Sequence, residues 1–245
     1  MNVRIGDWIQ VHSGRQFWPL DPRTEEVDIH DIAHALSLVC RFTGHVKEFY
    51  SVAQHSVLVA LTVKRWLTDA MCDGCKDGGF LVDPAEATHC RDVDGRYELL
   101  CDVCFASTPP PTHSITSMLD ERGIRLLALA GLLHDGSEAY ICDVARPIKM
   151  LQAMAPYREA EAKVQACVYS AFGLWPWEPR IVKRADDVLL STEARDLLAT
   201  LHPAWTVKPP EWPTILERIV PCSPKEAERM FLQTFEELTD LTRAA

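Results

Sequence analysis

The sequence lacks long apolar runs and is poor in basic residues, and these two absences exclude several classes of protein. No apolar segment approaches the roughly 20 residues that a membrane-spanning helix needs, and the N-terminus has no signal-peptide pattern. The 25 Lys and Arg residues are outnumbered by 35 Asp and Glu residues, for a formal net charge of −10. Because proteins that bind DNA or RNA usually present a basic face, we expect no nucleic-acid polymer as a partner. We expect a cytoplasmic protein without a membrane partner, in which a few local cations could still serve a small anionic substrate.

The nine cysteines also lack the spread of a disulfide framework. Five of them fall between positions 72 and 104, which is a local cluster. The other four are scattered through amphipathic segments, and we interpret them as small core residues: Cys40, Cys142, Cys167 and Cys222.

The cysteine-rich segment 71–111 differs in character from the rest of the chain. Helical periodicity stops, Gly and Asp accumulate, and a run of prolines closes the segment. Two Cys-x-x-Cys pairs flank a hairpin-like Asp94-Gly95 turn, a pattern typical of a closed structural zinc site with four thiolates. We therefore predict a small zinc-ribbon-like β insert within a helical domain formed by residues 1–70 and 112–245. The predicted zinc ligands are Cys72, Cys75, Cys101 and Cys104, and His89 or Cys90 could replace one of them.

Outside this insert the apolar residues recur mostly at helical spacing, so we predict a mostly α protein. A short hairpin is predicted over residues 8–18, because apolar runs flank Ser13-Gly14-Arg15. Ser51 with Gln54 matches a capping box, as does Ser223 with Glu226. The predicted helices span residues 28–41, 51–67, 124–133, 156–172, 179–201 and 223–241.

The apolar segment 124–133 leads directly into His134-Asp135, an unusual pair for the end of a buried helix. An ionised aspartate is costly to bury unless it is paired or bound to a metal, and imidazole with carboxylate suits a divalent ion. A His-Asp pair alone does not define a site. A second pair, His30-Asp31, opens its helix, and we interpret it as structural because Asp31 suits the helix dipole there. His55, in the first turn of its helix, has an ordinary explanation of its own as a capping or core residue.

These residues become specific when they are taken together. His55, His134-Asp135 and an aspartate of Asp186-Asp187 lie on three separate predicted helices, and in this order they resemble the His-Asp phosphohydrolase superfamily. The likeness is strongest to its nucleotide-directed branch, which includes bacterial 5′-deoxynucleotidases and phage dATP triphosphohydrolases. It covers nearly the whole chain outside the cysteine insert. It rests on Cys40-Arg41-Phe42 before Ser51-Val52-Ala53-Gln54-His55-Ser56, on His134-Asp135-x-x-Glu138-Ala139 with Asp143, Pro147 and Lys149, and on Lys183-x-x-Asp186.

The resemblance implies a helical bundle with one metal centre. Asp186 is preferred to Asp187 because the family's aspartate follows Lys/Gln-Ala, as Asp186 follows Ala185. Two-metal members take additional histidines before this aspartate, whereas here no histidine occurs between His134 and His202. We therefore expect one divalent ion, and His/Asp ligation does not choose among Mn, Co, Fe, Zn and Mg. The implied ligands are His55, His134, Asp135 and Asp186.

The resemblance also implies the roles of five further residues and a homo-oligomeric state. Glu138 and Asp143 match acidic positions that orient the attacking water or handle its proton. Arg41, Lys149 and Lys183 match positions that hold phosphate. Three cations exceed what one monophosphate would demand, and the resemblance to the phage enzymes implies that matching residues hold a triphosphate. We therefore predict a deoxynucleoside triphosphate substrate, most of all dATP, cut to nucleoside and triphosphate. The alternative reaction is a 5′-deoxynucleotidase acting on monophosphates. The alternative of a different class is a non-catalytic zinc-ribbon binding module.

Overall fold

The computed structural model describes residues 4–70, 90–93, 96–99, 121–202, 204 and 218–239, and within these ranges the protein is mostly helical. The strands are β1 (Ile9–Gln10), β2 (Gln16–Phe17), β3 (Cys90–Val93) and β4 (Arg96–Leu99). The helices are α1 (Ile29–Leu38), α2 (Val52–Ala70), α3 (Glu121–Leu132), α4 (Glu138–Ile141), α5 (Arg146–Lys149), α6 (Ala155–Ala171), α7 (Arg180–Leu197) and α8 (Pro224–Thr239). This confirms the expected mostly α class.

Helix α2 lies at the centre of the bundle and contacts α1, α3, α7 and α8. It contributes a row of fully buried apolar side chains, and burying each such valine or leucine stabilises the fold by about 1.5–3 kcal/mol. The approach of α3 to α2 is close at Gly131, where a Cβ atom would lie 3.3 Å from Ala60 Cα. The element that carries His55 is therefore held rigidly from several sides.

The capping predictions for α2 and α8 are half confirmed. Ser51 Oγ accepts from Gln54 N at 3.1 Å, and Ser223 Oγ accepts from Glu226 N at 3.3 Å. The Gln54 side chain does not return to the cap. Its amide donates to Val220 O at 2.8 Å, and its Oε1 accepts from Cys222 N at 3.0 Å. Gln54 therefore ties α2 to the segment that leads into α8.

Two helices end earlier than their periodicity predicts. We predicted α1 to continue to Arg41, but it ends at Leu38 because the chain then pairs with a neighbouring segment: Val52 N donates to Val39 O and Arg41 N donates to Tyr50 O. Residues Arg41–Gly44 form a separate tight turn, in which Phe42 and Thr43 have left-handed backbone angles.

Helix α7 ends at Leu197, not at position 201, because its last carbonyl groups are satisfied from outside. Lys47 N donates to Leu197 O at 2.9 Å, and Lys47 Nζ donates to Asp196 O at 3.3 Å. In both helices, hydrogen bonds from distant parts of the chain decide the boundary.

The N-terminal hairpin is confirmed, with Ile9 opposite Phe17 and Gln10 opposite Gln16. Its turn explains Asp31, which is buried and accepts from Ser13 N at 2.7 Å and Ser13 Oγ at 2.9 Å. The structural interpretation of the His30-Asp31 pair is therefore confirmed.

In the predicted insert, β3 and β4 pair antiparallel with Val93 opposite Arg96, on either side of Asp94-Gly95. The predicted zinc ligands and His89 lie outside the described residues, so the zinc ribbon and its boundaries stay predictions. The four predicted zinc ligands in question are Cys72, Cys75, Cys101 and Cys104. By length and hydropathy, no helix within the described ranges could cross a membrane.

Candidate metal centre

Three helices bring the predicted metal ligands together. His55 comes from α2, His134 follows the end of α3, and Asp186 comes from α7, with one donor atom of each lying within 4.8 Å of the others. His55 Nε2 is 3.2 Å from His134 Nε2 and 3.2 Å from Asp186 Oδ1. Asp135 Oδ2 joins them at 3.3 Å from His134 Nε2 and 3.7 Å from His55 Nε2.

These distances fit the coordination of one small ion. Two nitrogen ligands that each lie about 2.0–2.1 Å from an ion, at tetrahedral or octahedral angles, are themselves about 2.8–3.4 Å apart. The donor set of imidazole and carboxylate suits a first-row divalent metal.

The hydrogen bonds of both histidines leave their Nε2 atoms free for a ligand role. His134 Nδ1 donates to Gly131 O at 2.8 Å, and His55 Nδ1 donates to Glu193 Oε1 at 2.6 Å. Each neutral ring then presents the lone pair of Nε2 toward the cluster. Two lone pairs 3.2 Å apart, beside two carboxylates, repel each other unless a cation lies between them. His55 is fully buried, and the cap of its helix is Ser51, so its ordinary explanation as a capping residue is excluded.

The electrostatics of the cluster also favour a cation. Burial lowers the pKa of His134, but the Asp135 and Asp186 carboxylates outweigh this and raise it to about 10. Burial raises the pKa of Asp135, yet His134 and His55 hold it well below its ordinary value. The pKa of Asp186 is lowered against burial mainly by His55. Without a metal the cluster binds a proton tightly, which is the behaviour of a site with excess negative charge.

Helix α6 clamps the loop that carries His134 and Asp135. Gln165 Oε1 accepts from Ser137 N at 2.9 Å, and Gln165 Nε2 donates to Leu133 O at 2.8 Å. At Gly136 the loop approaches α6 so closely that a Cβ atom would lie 2.8 Å from Val168 Cγ1. Packing against α6 therefore requires a glycine at position 136, directly after His134-Asp135.

The two predicted acid–base residues lie beside the ligands. Burial raises the pKa of Glu138 well above its ordinary value, with further contributions from Asp135 and Asp143. Within the described part of the chain, Glu138 Oε2 is buried without a hydrogen-bond partner. Burial also raises the pKa of Asp143, although Arg41 and Lys149 lower it. A raised pKa allows a carboxyl group to hold a proton and to pass it on, so both groups are suited to proton transfer.

Backbone strain is concentrated next to predicted site residues. Among the described residues, the non-glycine positions with positive φ are Phe42, Thr43 and Cys142, at 54°, 54° and 66°. The first two directly follow Arg41, and the third directly precedes Asp143. Strained positions of this kind cluster at functional sites, where the surrounding structure over-determines them.

All three predicted phosphate-binding cations already contact carboxylates. Arg41 Nη1 is 3.4 Å from Asp135 Oδ2, and its Nη2 is 3.1 Å from Glu193 Oε2. The other two lie nearer the surface. Lys149 Nζ is 2.5 Å from Glu161 Oε1, and Lys183 Nζ contacts Asp186 Oδ2 at 2.9 Å and Asp187 Oδ1 at 2.6 Å.

The sequence interpretation missed Glu193, whose fully buried carboxylate contacts both His55 and Arg41. The sequence does contain a signal that points to Glu193. Glu193 lies seven residues after Asp186, on the same side of α7, and falls in the apolar stripe of Val182, Ala185 and Leu189. A charged residue in a buried stripe needs a partner, and its partners here are site residues.

Comparison with known proteins identifies relatives but no activity. No protein-family model matches the sequence. The chain is similar to YfdR of Escherichia coli strain K12, described as an uncharacterized protein, with 28% identity over 238 residues, 97% of this chain and 99% of YfdR. It is also similar to RCAP_rcc00048 of Rhodobacter capsulatus, likewise described as uncharacterized, with 28% identity over 196 residues, 78% of this chain and 72% of that protein.

Proposed function

We propose that the chain is a metal-dependent phosphohydrolase of the His-Asp superfamily that acts on deoxynucleotides. The observation that carries this proposal is the meeting of His55, His134 and Asp186 within 4.8 Å, with both histidines hydrogen-bonded through Nδ1. Asp135 would complete the ligand set of a single divalent ion. When bound, such an ion supplies Lewis-acid polarisation of a phosphoryl oxygen and activation of water.

The side chains around the cluster support hydrolysis of a phosphate ester. The raised pKa values of Glu138 and Asp143 allow one carboxyl group to take a proton from the attacking water and to return it to the leaving oxygen. Since Glu138 Oε2 has no hydrogen-bond partner among the described residues, it is an acceptor for such a proton. Arg41 lies between Asp135 and Glu193, where its fixed charge would face the phosphoryl group.

The ion pairing of the three cations bears on the number of phosphates. The triphosphate prediction counted Arg41, Lys149 and Lys183 as available, but each already contacts at least one carboxylate. A monophosphate carries about two negative charges near neutral pH, and a triphosphate carries more that would need neutralising. This observation favours the 5′-deoxynucleotidase reaction, which we propose first. The dATP-type triphosphohydrolase is the second candidate, supported by the number of cations near the cluster.

A nucleotide panel tests the proposal. Metal-free protein is supplied in turn with Mn²⁺, Co²⁺, Fe²⁺, Zn²⁺ and Mg²⁺ and incubated with deoxynucleoside mono- and triphosphates, and products are identified by ion-exchange chromatography. We expect orthophosphate from a deoxynucleoside monophosphate, with dATP untouched. Tripolyphosphate and deoxyadenosine from dATP would establish the second candidate instead. Absence of turnover of every nucleotide with every metal contradicts both, and His134→Gln measures the background.

We also propose that segment 71–111 forms a structural zinc ribbon, as its two Cys-x-x-Cys pairs indicate. A non-catalytic binding module built on this ribbon is the alternative of a different class. Metal analysis separates the two kinds of site. His134→Ala should keep one tightly held zinc ion per chain, and Cys72→Ser should lose it.

A further inference from the structure

Glu193 connects two sides of the metal centre. It lies on α7 and is fully buried, yet its carboxylate accepts hydrogen bonds from three side chains. Oε1 accepts from His55 Nδ1 at 2.6 Å and from Tyr50 Oη at 3.0 Å, and Oε2 accepts from Arg41 Nη2 at 3.1 Å. These donors explain how an ionised carboxylate is tolerated without solvent.

We propose that Glu193 is a positioning residue of the metal centre, which fixes His55 as a neutral donor and holds Arg41 against Asp135. The inference rests on the proposed function only in that the cluster binds a metal. It does not depend on which nucleotide, if any, is hydrolysed.

The effect on His55 follows from the two nitrogen atoms of its ring. An acceptor at Nδ1 requires the proton on that atom, so the lone pair of Nε2 points toward His134 and Asp186. A carboxylate partner also fixes the orientation of the ring. A neutral amide at position 193 could instead donate to Nδ1, which would place the proton on Nε2 and remove the metal-binding lone pair.

The effect on Asp135 is transmitted through Arg41. The guanidinium of Arg41 bridges Glu193 Oε2 and Asp135 Oδ2, at 3.1 and 3.4 Å. Removing the Glu193 charge would leave Arg41 with Asp135 as its remaining carboxylate contact in the described structure, so the guanidinium would compete with the metal for that carboxylate. Substitution of Glu193 is therefore expected to weaken metal binding both by His55 and by Asp135.

The experiment compares Glu193→Gln with wild type and with Asp196→Asn. Asp196 is a matched control because it lies on the same helix, is half-buried, and pairs with Arg195 and Ile219 N away from the cluster. Mn²⁺ affinity of the metal-free full chain is measured by calorimetry, since thiolates of the insert compete poorly for this ion. We expect Glu193→Gln to weaken Mn²⁺ binding about 10–100-fold, as changes to outer partners of metal ligands do. Asp196→Asn should stay within about threefold of wild type, although its fold is less stable.

A second measurement keeps the inference open to refutation if Glu193→Gln does not fold. Nitrogen-15 NMR of metal-free wild type should show His55 protonated on Nδ1, and the opposite tautomer would overturn the proposal. Wild-type Mn²⁺ affinity in folded Glu193→Gln would overturn it equally. Wild type that binds Mn²⁺ but hydrolyses no nucleotide would contradict the proposed function alone.

Discussion

Asp186 and Asp187 are neighbours in the sequence but differ in what they contact. Both contact Lys183, whereas Asp186 Oδ1 also lies 3.2 Å from His55 Nε2. Successive side chains on a helix point about 100° apart, so one of the pair faces the cluster and the other faces away. We expect Asp186→Ala to weaken Mn²⁺ binding by more than about 100-fold, beyond the cost of changing an outer partner. Asp187→Ala should cost less than about threefold, and equal losses in calorimetry would show that the register of α7 is wrong.

Cys142 holds its backbone at φ 66° and ψ 158°, a region that is essentially restricted to glycine and costs about 1–3 kcal/mol for other residues. The Tyr157 hydroxyl donates to Cys142 O at 2.7 Å and helps to hold this conformation. We expect Cys142→Gly to raise the free energy of unfolding by about 1 kcal/mol, since relief of strain exceeds the added entropy of the unfolded chain. The same change should lower kcat because Asp143 is less firmly placed. Urea denaturation tests the first effect, and Cys142→Ala, which keeps the strain, should not stabilise.

At the scale of elements, the clamp between α6 and the His134 loop is as important as the helices that supply the ligands. Gln165→Leu leaves Ser137 N without its partner and removes one of the two donors to Leu133 O, which keeps Gly136 N. A buried polar group left unpaired costs about 1–3 kcal/mol. We expect a fall in the free energy of unfolding of that order and a matching loss of Mn²⁺ affinity. Gln165→Glu is the comparison variant, because it keeps the acceptor for Ser137 N, loses the donor to Leu133 O and adds a negative charge. A variant that is destabilised but binds Mn²⁺ normally would show that the clamp supports the fold and not the site.

At the scale of the whole molecule, the metal and the proton compete for the same centre. The folded state raises the pKa of His134 from 6.5 to about 10, so protonation of His134 stabilises the metal-free protein fully below pH 6.5. This contribution is lost progressively as the pH rises toward 10. We therefore expect the Tm in chelator to fall between pH 6.5 and 9. Over the same range Mn²⁺ affinity should rise about tenfold per pH unit, as one proton is released on binding.

Differential scanning fluorimetry with chelator or Mn²⁺ at pH 6.5 and 9 measures this linkage. Asp135 and Asp186 have lowered pKa values and titrate below this range, while the raised pKa of Glu138 acts in the same direction as that of His134. The comparison with His134→Gln isolates the histidine, because that variant should show a flatter pH profile and little response to Mn²⁺. A larger Mn²⁺ effect at pH 6.5 than at pH 9 would contradict the expected competition.

Features that depend on a few successive residues were predictable from the sequence. The N-terminal hairpin, the cap at Ser51 and the cap at Ser223 follow from short-range hydrogen bonding and turn chemistry. Helical periodicity identified the elements that carry the site. The meeting of His55, His134, Asp135 and Asp186 was expected from the order of their motifs, and the structure brings these side chains together. The zinc ribbon stays a prediction.

The features that only the tertiary structure decided depend on contacts between residues that are far apart in the chain. The end of α1 depends on Val52 N, which donates to Val39 O, and the end of α7 depends on Lys47 N, which donates to Leu197 O. No local pattern contains those contacts. The charge state of the site depends on Glu193 and on carboxylates that neutralise each predicted phosphate cation. The sequence gives the number of charged residues. Their distances and burial determine which of them remain available to bind phosphate, because electrostatic energy depends on separation and solvent exposure. That difference is the reason why we propose a monophosphate before a triphosphate as the substrate.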